Sequence, residues 1–366
     1  MKYFLFSIFI FFSGCNNNKS AAPETEIDEP AVTAPDENGS FTLIAVGDIM
    51  PGTNYPDRKK FTEENILATL SDTLKNADFT IGNLEGVLAH DTLESKKCKD
   101  KKNCYAFRSP PQFAGYFKDA GFDFLSIANN HSGDFENEGL RQTMQTLDGA
   151  GIQYAGLKNI CEYAVLENKG IKLGIIGVGH AWRHVYIRDY SHISKLIKEV
   201  KEKADVAVVF FHGGAEGDTA EHVPMREEMF FTENRGNVFE LAHHCIDAGA
   251  DLVIGSGPHV TRAMEVYKGR LVAYSLGNFA TYGKVSLRGP MGIAPILKLN
   301  ISKSGEFLGG RIIPTMQKPF NPATPMIDTA GQVIKKIIRL NAKDFPNNPL
   351  AVSPDGILTI KNFDFK

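Results

Sequence analysis

The chain has 366 residues, 43% of them hydrophobic and 10% aromatic, with a formal net charge of −3. That length suits one large or two medium domains with a sizeable core. The near-neutral balance, with no basic stripe, excludes an electrostatic footprint for nucleic acid.

The first element in chain order is a targeting segment. Lys2 precedes an apolar run from Tyr3 to Phe12, broken only by Ser7 and too short to span a bilayer as a mature helix. The run ends in Phe12-Ser13-Gly14-Cys15, which resembles the lipobox of bacterial lipoproteins. Residues 1–15 are therefore expected to be a lipoprotein leader, with Cys15 lipidated and the domain held at the cell envelope outside the cytoplasm. Residues 16–40 are rich in Asn, Ala, Pro, Glu and Asp and poor in large apolar side chains. They cannot bury enough surface to fold and read as a tether. No later apolar stretch is long enough to cross a bilayer. Cys98 and Cys104 flank a basic loop; outside the cytoplasm the pair could close a small disulfide, and two free thiols are the alternative. Cys161 and Cys245 read as buried thiols.

From Phe41 strands and helices alternate. Phe41 to Val46 is a predicted strand stopping at Gly47-Asp48, and Glu64 to Lys75 has helical spacing. Phe79 to Ile81 is a strand, Pro111 to Ala120 a helix with proline at its start, and Phe122 to Ala128 a strand. The helix Asn137 to Ala150 stops at Gly151. Strands follow at Ile152 to Ala155, Ala164 to Asn168 and Ile171 to Val178. Helix Ser191 to Lys203, strand Val206 to Phe211, helix Gly236 to Asp247 and strand Asp251 to Ile254 continue the alternation. This rhythm predicts a largely parallel sheet with helices outside. After Gly257, Arg262 to Tyr267, Leu271 to Ser275, Ile296 to Ile301 and Phe307 to Thr315 read as consecutive strands. They are expected to form a second, antiparallel sheet packed on the first. Gln332 to Leu340 reads as an amphipathic helix, and Val352 to Thr359 as a last hairpin.

Polar residues gather where the strands end. Asp48, Asn83, Glu85, Asn130, His131, His212, Glu216 and His259 each follow a strand closely. The carboxyl ends of strands line the ligand crevice in open α/β sheets. Carboxylate, amide and imidazole donors together suit a borderline divalent ion such as Mn, Zn or Fe. One or two such ions could activate water and hold an oxyanion. Turn chemistry explains any one of these residues singly; it does not explain the whole set.

Six segments carry a resemblance: Gly47-Asp48-Ile49-Met50, Gly82-Asn83-Leu84-Glu85, Ala128-Asn129-Asn130-His131, His212-Gly213-Gly214-Ala215-Glu216, Gly255-Ser256-Gly257-Pro258-His259-Val260 and Ser275-Leu276-Gly277-Asn278-Phe279. In this order they resemble the motif series of the CapA family, bacterial capsule synthesis proteins associated with poly-γ-glutamate. The resemblance spans Phe41 to Thr315. It implies the four-layered α/β/β/α sandwich of metallophosphoesterase type, formed by residues 41–285 and completed by 286–366. It implies metal ligands at Asp48, Glu85, Asn130, His212 and His259, with Asp48 and His131 in catalysis and His131 as general acid or oxyanion donor. Asn83, Glu216, Arg262 and Asn278 are expected to contact substrate. An envelope polymer or another anionic substrate is the implied partner, with other capsule-synthesis proteins beside it.

The sequence also departs from the phosphoesterase pattern. Met50 stands where those enzymes usually carry the histidine of Asp-x-His, and Asn83 or Glu85 replaces a bridging aspartate. Ser256 and Gly257 stand where family members often have two histidines. These losses leave two functions open: a metal-dependent phosphoesterase-like hydrolase, and a non-catalytic polymer-binding or export factor on a degenerate fold. A Gly-rich nucleotide fingerprint after the first strand is missing. Arg108, Arg235 and Arg262 suit anion binding or ordinary ion pairing. His180 and His184 are expected at the crevice mouth, and Asp134 either orients His131 or caps the following helix.

Overall fold

The computed structural model describes residues 39–97, 105–319 and 322–361. The Cys15 leader, most of the tether and the Cys98 and Cys104 pair lie outside these residues.

The strands used below are β1 Ser40–Met50, β2 Phe79–Leu84, β3 Phe124–Ser126, β4 Gln153–Ala155, β5 Tyr163–Asn168, β6 Ile171–Gly179, β7 Val206–His212 and β8 Leu252–Ser256. They continue with β9 Met264–Tyr267, β10 Arg270–Ala273, β11 Asn278–Thr281, β12 Ile293–Ser302, β13 Phe307–Met316, β14 Leu350–Val352 and β15 Ile357–Ile360. The helices are α1 Ser71–Lys75, α2 Phe113–Asp119, α3 Glu136–Ala150, α4 Tyr190–Lys201, α5 Val238–Asp247 and α6 Gln332–Asp344.

Period-two alternation decides how the layers stack. In β1, Leu43 and Ala45 face a core shared with Leu173, Val208 and Ile254 of the other sheet. Ile44 and Val46 face the opposite way, onto Leu74 of α1, Phe117 of α2 and Leu147 of α3. The second sheet turns Ile176, Val209 and Val253 outward against Ile197 of α4 and Leu241 of α5. Each such buried side chain contributes roughly 1.5–3 kcal/mol. Helices thus cover the outer face of each of two packed sheets, giving the expected α/β/β/α sandwich. Helix α6 inserts Val333 and Ile337 into the inter-sheet core.

Sheet membership differs from the expectation. The first sheet runs β14-β15-β13-β12-β1-β2-β3-β4, with β11 also pairing β1; the second runs β9-β10-β8-β7-β6-β5. Both are mixed. The hairpin of β9 and β10 extends the second sheet, because β10 lies parallel to β8. The chain then crosses over, so that β11 lies parallel to β1 and β12 antiparallel to it. Hence the strands after Gly257 are divided between the sheets and form no separate antiparallel layer.

Two element boundaries also move. Strand β1 runs on through Asp48 to Met50, because that stretch pairs in parallel with β2 on one side and β11 on the other. Gly47 makes this possible, since a Cβ there would lie 2.0 Å from the Gly277 carbonyl oxygen. The expected Glu64 to Lys75 helix shrinks to α1 and a short 3-10 turn at Ala68–Leu70. Thr62 Oγ1 accepts the Glu64 N–H at 3.1 Å and Asn65 Oδ1 the Leu67 N–H at 3.0 Å. Such local bonds compete with the helix.

Candidate metal centre

Strands β1, β2 and β3 are parallel, as are β6, β7 and β8, so each set presents its carboxyl ends together. Asp48 projects from β1 beside its register shifts, Glu85 follows β2 and His131 follows β3. His212 ends β7, and His259 lies three residues beyond β8.

The side chains meet. His259 Nδ1 lies 3.2 Å from Asp48 Oδ2, and its Nε2 lies 3.5 Å from Glu85 Oε1 and 3.7 Å from Glu216 Oε2. Among the described residues, Asp48, Glu85 and His259 form a set whose ligand atoms all fall within 4.8 Å of one another. His131 Nε2 comes to 3.9 Å from Glu85 Oε1, and His212 Nδ1 to 3.7 Å from Asp48 Oδ1. Five buried donor atoms here have no hydrogen-bond partner: Asp48 Oδ2, both Glu85 oxygens, Asn130 Oδ1 and His212 Nε2. Buried polar atoms without partners are rare in folded proteins. Oxygen and imidazole nitrogen are also the donors a borderline divalent ion takes. The residues present therefore fit such an ion.

The electrostatics agree. Burial pushes the Glu85 carboxyl up to about 7, with His259 pulling it down and Asp48 pushing it up. Burial opposes charge on His259, yet Glu85, and then the close approach and charge of Asp48, raise it to about 10. A cation in the cluster would take over the role of that imidazolium. Burial, then His180 and Arg235, hold His212 well below the ordinary histidine range, so it is neutral and can ligate. Ligation through Nε2 leaves the proton on Nδ1, where Ser256 Oγ lies at 3.0 Å.

Around these side chains stand residues that position them. Asn83 Nδ2 donates to Asp48 Oδ1 at 2.8 Å, and Asn83 Oδ1 accepts from Asn129 Nδ2 at 3.1 Å. Asn278 Oδ1 lies 3.0 Å from His259 Nδ1, while its Nδ2 donates to the Ser286 and Met291 carbonyls. Both asparagines are buried, with both ends of the amide engaged in the protein. The expected substrate contact is thus replaced by orientation of Asp48 and of His259. Arg262 is corrected further. It is fully buried, pairs through Nη1 and Nη2 with both Glu228 oxygens at 2.8 and 2.7 Å, and donates to the Ala220 carbonyl, a structural role. Glu216 stays at the site and is charge-paired with Arg235 at 2.8 Å. Arg108 binds Asn54 Oδ1 and the Leu93 carbonyl.

Asp134 orients His131. Its Oδ2 lies 2.7 Å from His131 Nδ1, and Phe107 stacks on the ring with centroids 4.0 Å apart. Helix α3 begins without a side-chain cap, so capping is not its role. His184 is buried, held near 3 by that burial and then by His180, and meets Ser132 Oγ at 3.0 Å. His180 is buried as well, and Trp182 between them is 81% exposed. The contributions of Asn129 and Ser256 escaped sequence reasoning, although both lie inside quoted motifs.

Backbone conformation explains one lost ligand. Gly257 has φ +116°, and a Cβ there would lie 2.9 Å from the Gly213 nitrogen and oxygen. A histidine cannot return at 257 without moving that strand end. Gly257→Ala is expected to cost about 1–3 kcal/mol, read as a lowered denaturation midpoint with an unchanged slope. Unaltered stability would contradict the close approach. His259, two residues on, is a non-glycine residue at φ +59°, a conformation held by its contacts.

A four-layered sandwich with a carboxylate and imidazole cluster at its strand ends is the metallophosphoesterase class of architecture that the motif series implies. The chain belongs to the bacterial capsule synthesis protein family PGA_cap, matched over residues 42–282. It is 30% identical over 264 residues to the capsule biosynthesis protein CapA of Bacillus anthracis, covering 66% of this chain and 60% of that protein. It is 30% identical over 253 residues to the PGA biosynthesis protein CapA of Bacillus subtilis (strain 168), covering 64% and 61%. The chain thus spans about three-fifths of the length of these relatives. Among solved structures it is similar to a putative 5'-nucleotidase from Staphylococcus aureus, with 17% identity, a TM-score of 0.46, and coverage of 82% of this chain and 58% of that one. No helix among the described residues is long and apolar enough to cross a membrane.

Proposed function

We propose that this chain is a metal-dependent, phosphoesterase-like hydrolase of the cell envelope, acting on a capsule polymer of poly-γ-glutamate type or on its precursor. The observation that carries the reading is the group of unpartnered donors on Asp48, Glu85, Asn130 and His212 beside His259. The family and the names of its Bacillus relatives support the polymer. Asp48, Glu85 and His259 would hold a Mn, Zn or Fe ion, with Asn130 and His212 completing one site or forming a second. The ion would supply Lewis-acid polarisation of a phosphoryl or carbonyl oxygen. Asn83 and Asn278 fix the ligands, and His131 holds a proton at Nε2 for the leaving oxygen, its ring set by Asp134. Lipidation at Cys15 would keep the domain at a membrane, outside the cytoplasm.

A second reading, a non-catalytic polymer-binding or export factor, is favoured by Met50 and by the glycine-only backbone at Gly257, since both remove expected ligands. Elemental analysis of purified protein and hydrolysis of a generic phosphodiester with added Mn test the choice. Stoichiometric metal with turnover supports the hydrolase. Metal-free protein that stays inert under added Mn overturns it in favour of the second reading.

A further inference from the structure

A shallow cavity of about 440 Å³, open to solvent, lies between α6 and the short turn Gly289–Gly292. Gln332, Lys335, Lys336 and Arg339 line it, at the i, i+3, i+4, i+7 spacing that puts side chains on one helix face. Pro290 and Glu221 complete the wall. Two of the cations, Lys336 and Arg339, meet the Glu221 carboxylate, and Lys335 stands on the same lining. Arg339 takes both Glu221 oxygens, at 3.0 and 3.1 Å. Lys336 Nζ stands 3.6 Å from Glu221 Oε2 and makes no hydrogen bond, although the residue is only 6% exposed. Burial, opposed by Glu221, lowers this amine to about 8, so it still carries charge at neutral pH. A buried ammonium without hydrogen bonds is destabilising. Such an ammonium has hydrogen bonds to offer an anionic ligand.

We propose that this cavity is an anion subsite, in which Lys336, flanked by Lys335 and Arg339, binds a phosphate or carboxylate group. The chain connects two of its walls to residues near the metal centre. Glu221 caps the short 3-10 turn Asp218–Ala220 that follows Glu216, and the Gly289–Gly292 turn supplies the Met291 carbonyl that accepts from Asn278 Nδ2. A polyanionic chain reaching the centre would meet a second anion contact here. That extension rests on the proposed function; the anion subsite itself does not.

The test uses the full chain after chelator treatment, so it reads neither metal nor turnover. Inorganic phosphate and a γ-linked glutamate trimer are titrated by calorimetry at fixed ionic strength, against wild type, Lys336→Met and Lys335→Ala. Lys336→Met is expected to keep or raise the melting temperature and to weaken anion binding at least about tenfold, the loss of one charge-assisted hydrogen bond. Lys335→Ala, at an exposed position, should weaken binding less and covers the case in which Lys336→Met fails to fold. Tighter binding of the trimer supports the subsite with polymer carboxylate as its ligand; tighter binding of phosphate supports it with a phosphoryl group. Binding of neither at about 10 mM, where even a millimolar site would fill, overturns the proposal. So does binding that both variants leave unchanged.

Discussion

Replacing Glu85 by Gln is expected to lower the affinity for a divalent ion more than about 100-fold, beyond the range typical of an outer hydrogen-bonding partner. Both Glu85 oxygens are buried without a hydrogen bond, and one of them faces His259 Nε2 at 3.5 Å. The amide keeps the shape, gives up the charge and turns an N–H toward the ion. Because Glu85 ionises only near 7 in the metal-free protein, removing its charge should not destabilise that form. The loss should appear only with metal present. At an ion concentration 100 times Kd, ligation stabilises the wild type by about 2.7 kcal/mol, an increment that Glu85→Gln should lack. Melting curves with and without Mn measure both. Equal metal-induced shifts in the two proteins would remove Glu85 from the ligand set.

The same cluster fixes a pH dependence. Ligands must be deprotonated to bind, so binding releases protons. Between pH 7 and 10 Glu85 is ionised while His259, raised to about 10, still holds its proton. Ion binding through His259 should then expel one proton. Below pH 7 Glu85 is protonated too, and the number approaches two. Affinity should therefore fall about tenfold per unit as pH drops toward 7, and more steeply below it. Calorimetry at pH 8 in two buffers of different ionisation enthalpy counts the protons. A count of zero would mean that His259 does not bind the ion.

Much of this centre was legible because parallel strands bring their carboxyl ends to one edge whatever their separation in sequence. Asp48, Glu85, His131, His212 and His259 are found together for that reason. What spacing does not encode is the direction in which a strand-end side chain points. Asn83 and Asn278 belong to the same motif series as Asp48, Glu85 and His259, yet their amides are engaged by Asp48 and His259, with nothing left for substrate. Arg262 shows the stronger form of the limit. Its partner Glu228 comes from a loop with no periodic signal, so the sequence left substrate contact and ordinary ion pairing open where the fold has a buried ion pair. The sheets were misassigned for a related reason. The hairpin of β9 and β10 and the pair of β12 and β13 have the same alternation, and only their neighbours β8 and β1 decide which sheet each one joins. The lost helix before Ala68 had visible competitors in Thr62 and Asn65, short side chains that bond their own backbone.

If the centre turns over a phosphodiester, His131→Ala should lower the rate by about 10²–10⁴-fold, the usual contribution of a positioned acid or base, with metal content unchanged. His131 Nε2 stands 3.9 Å from Glu85 Oε1, close to the ligands without displacing them. Asp134 holds the other ring nitrogen, accepts the Phe107 N–H at 2.8 Å, and is paired with Lys96 at 2.5 Å. That carboxylate fixes the orientation of the ring through Nδ1. Asp134→Asn should therefore cost about 10–100-fold in turnover, the range for an outer partner. The loss should fall on kcat and spare KM. A role confined to holding the Phe107 loop would lower the melting temperature and leave kcat of the folded protein in place. The kcat therefore separates positioning of the imidazole from support of the loop, a distinction the melting temperature alone does not make.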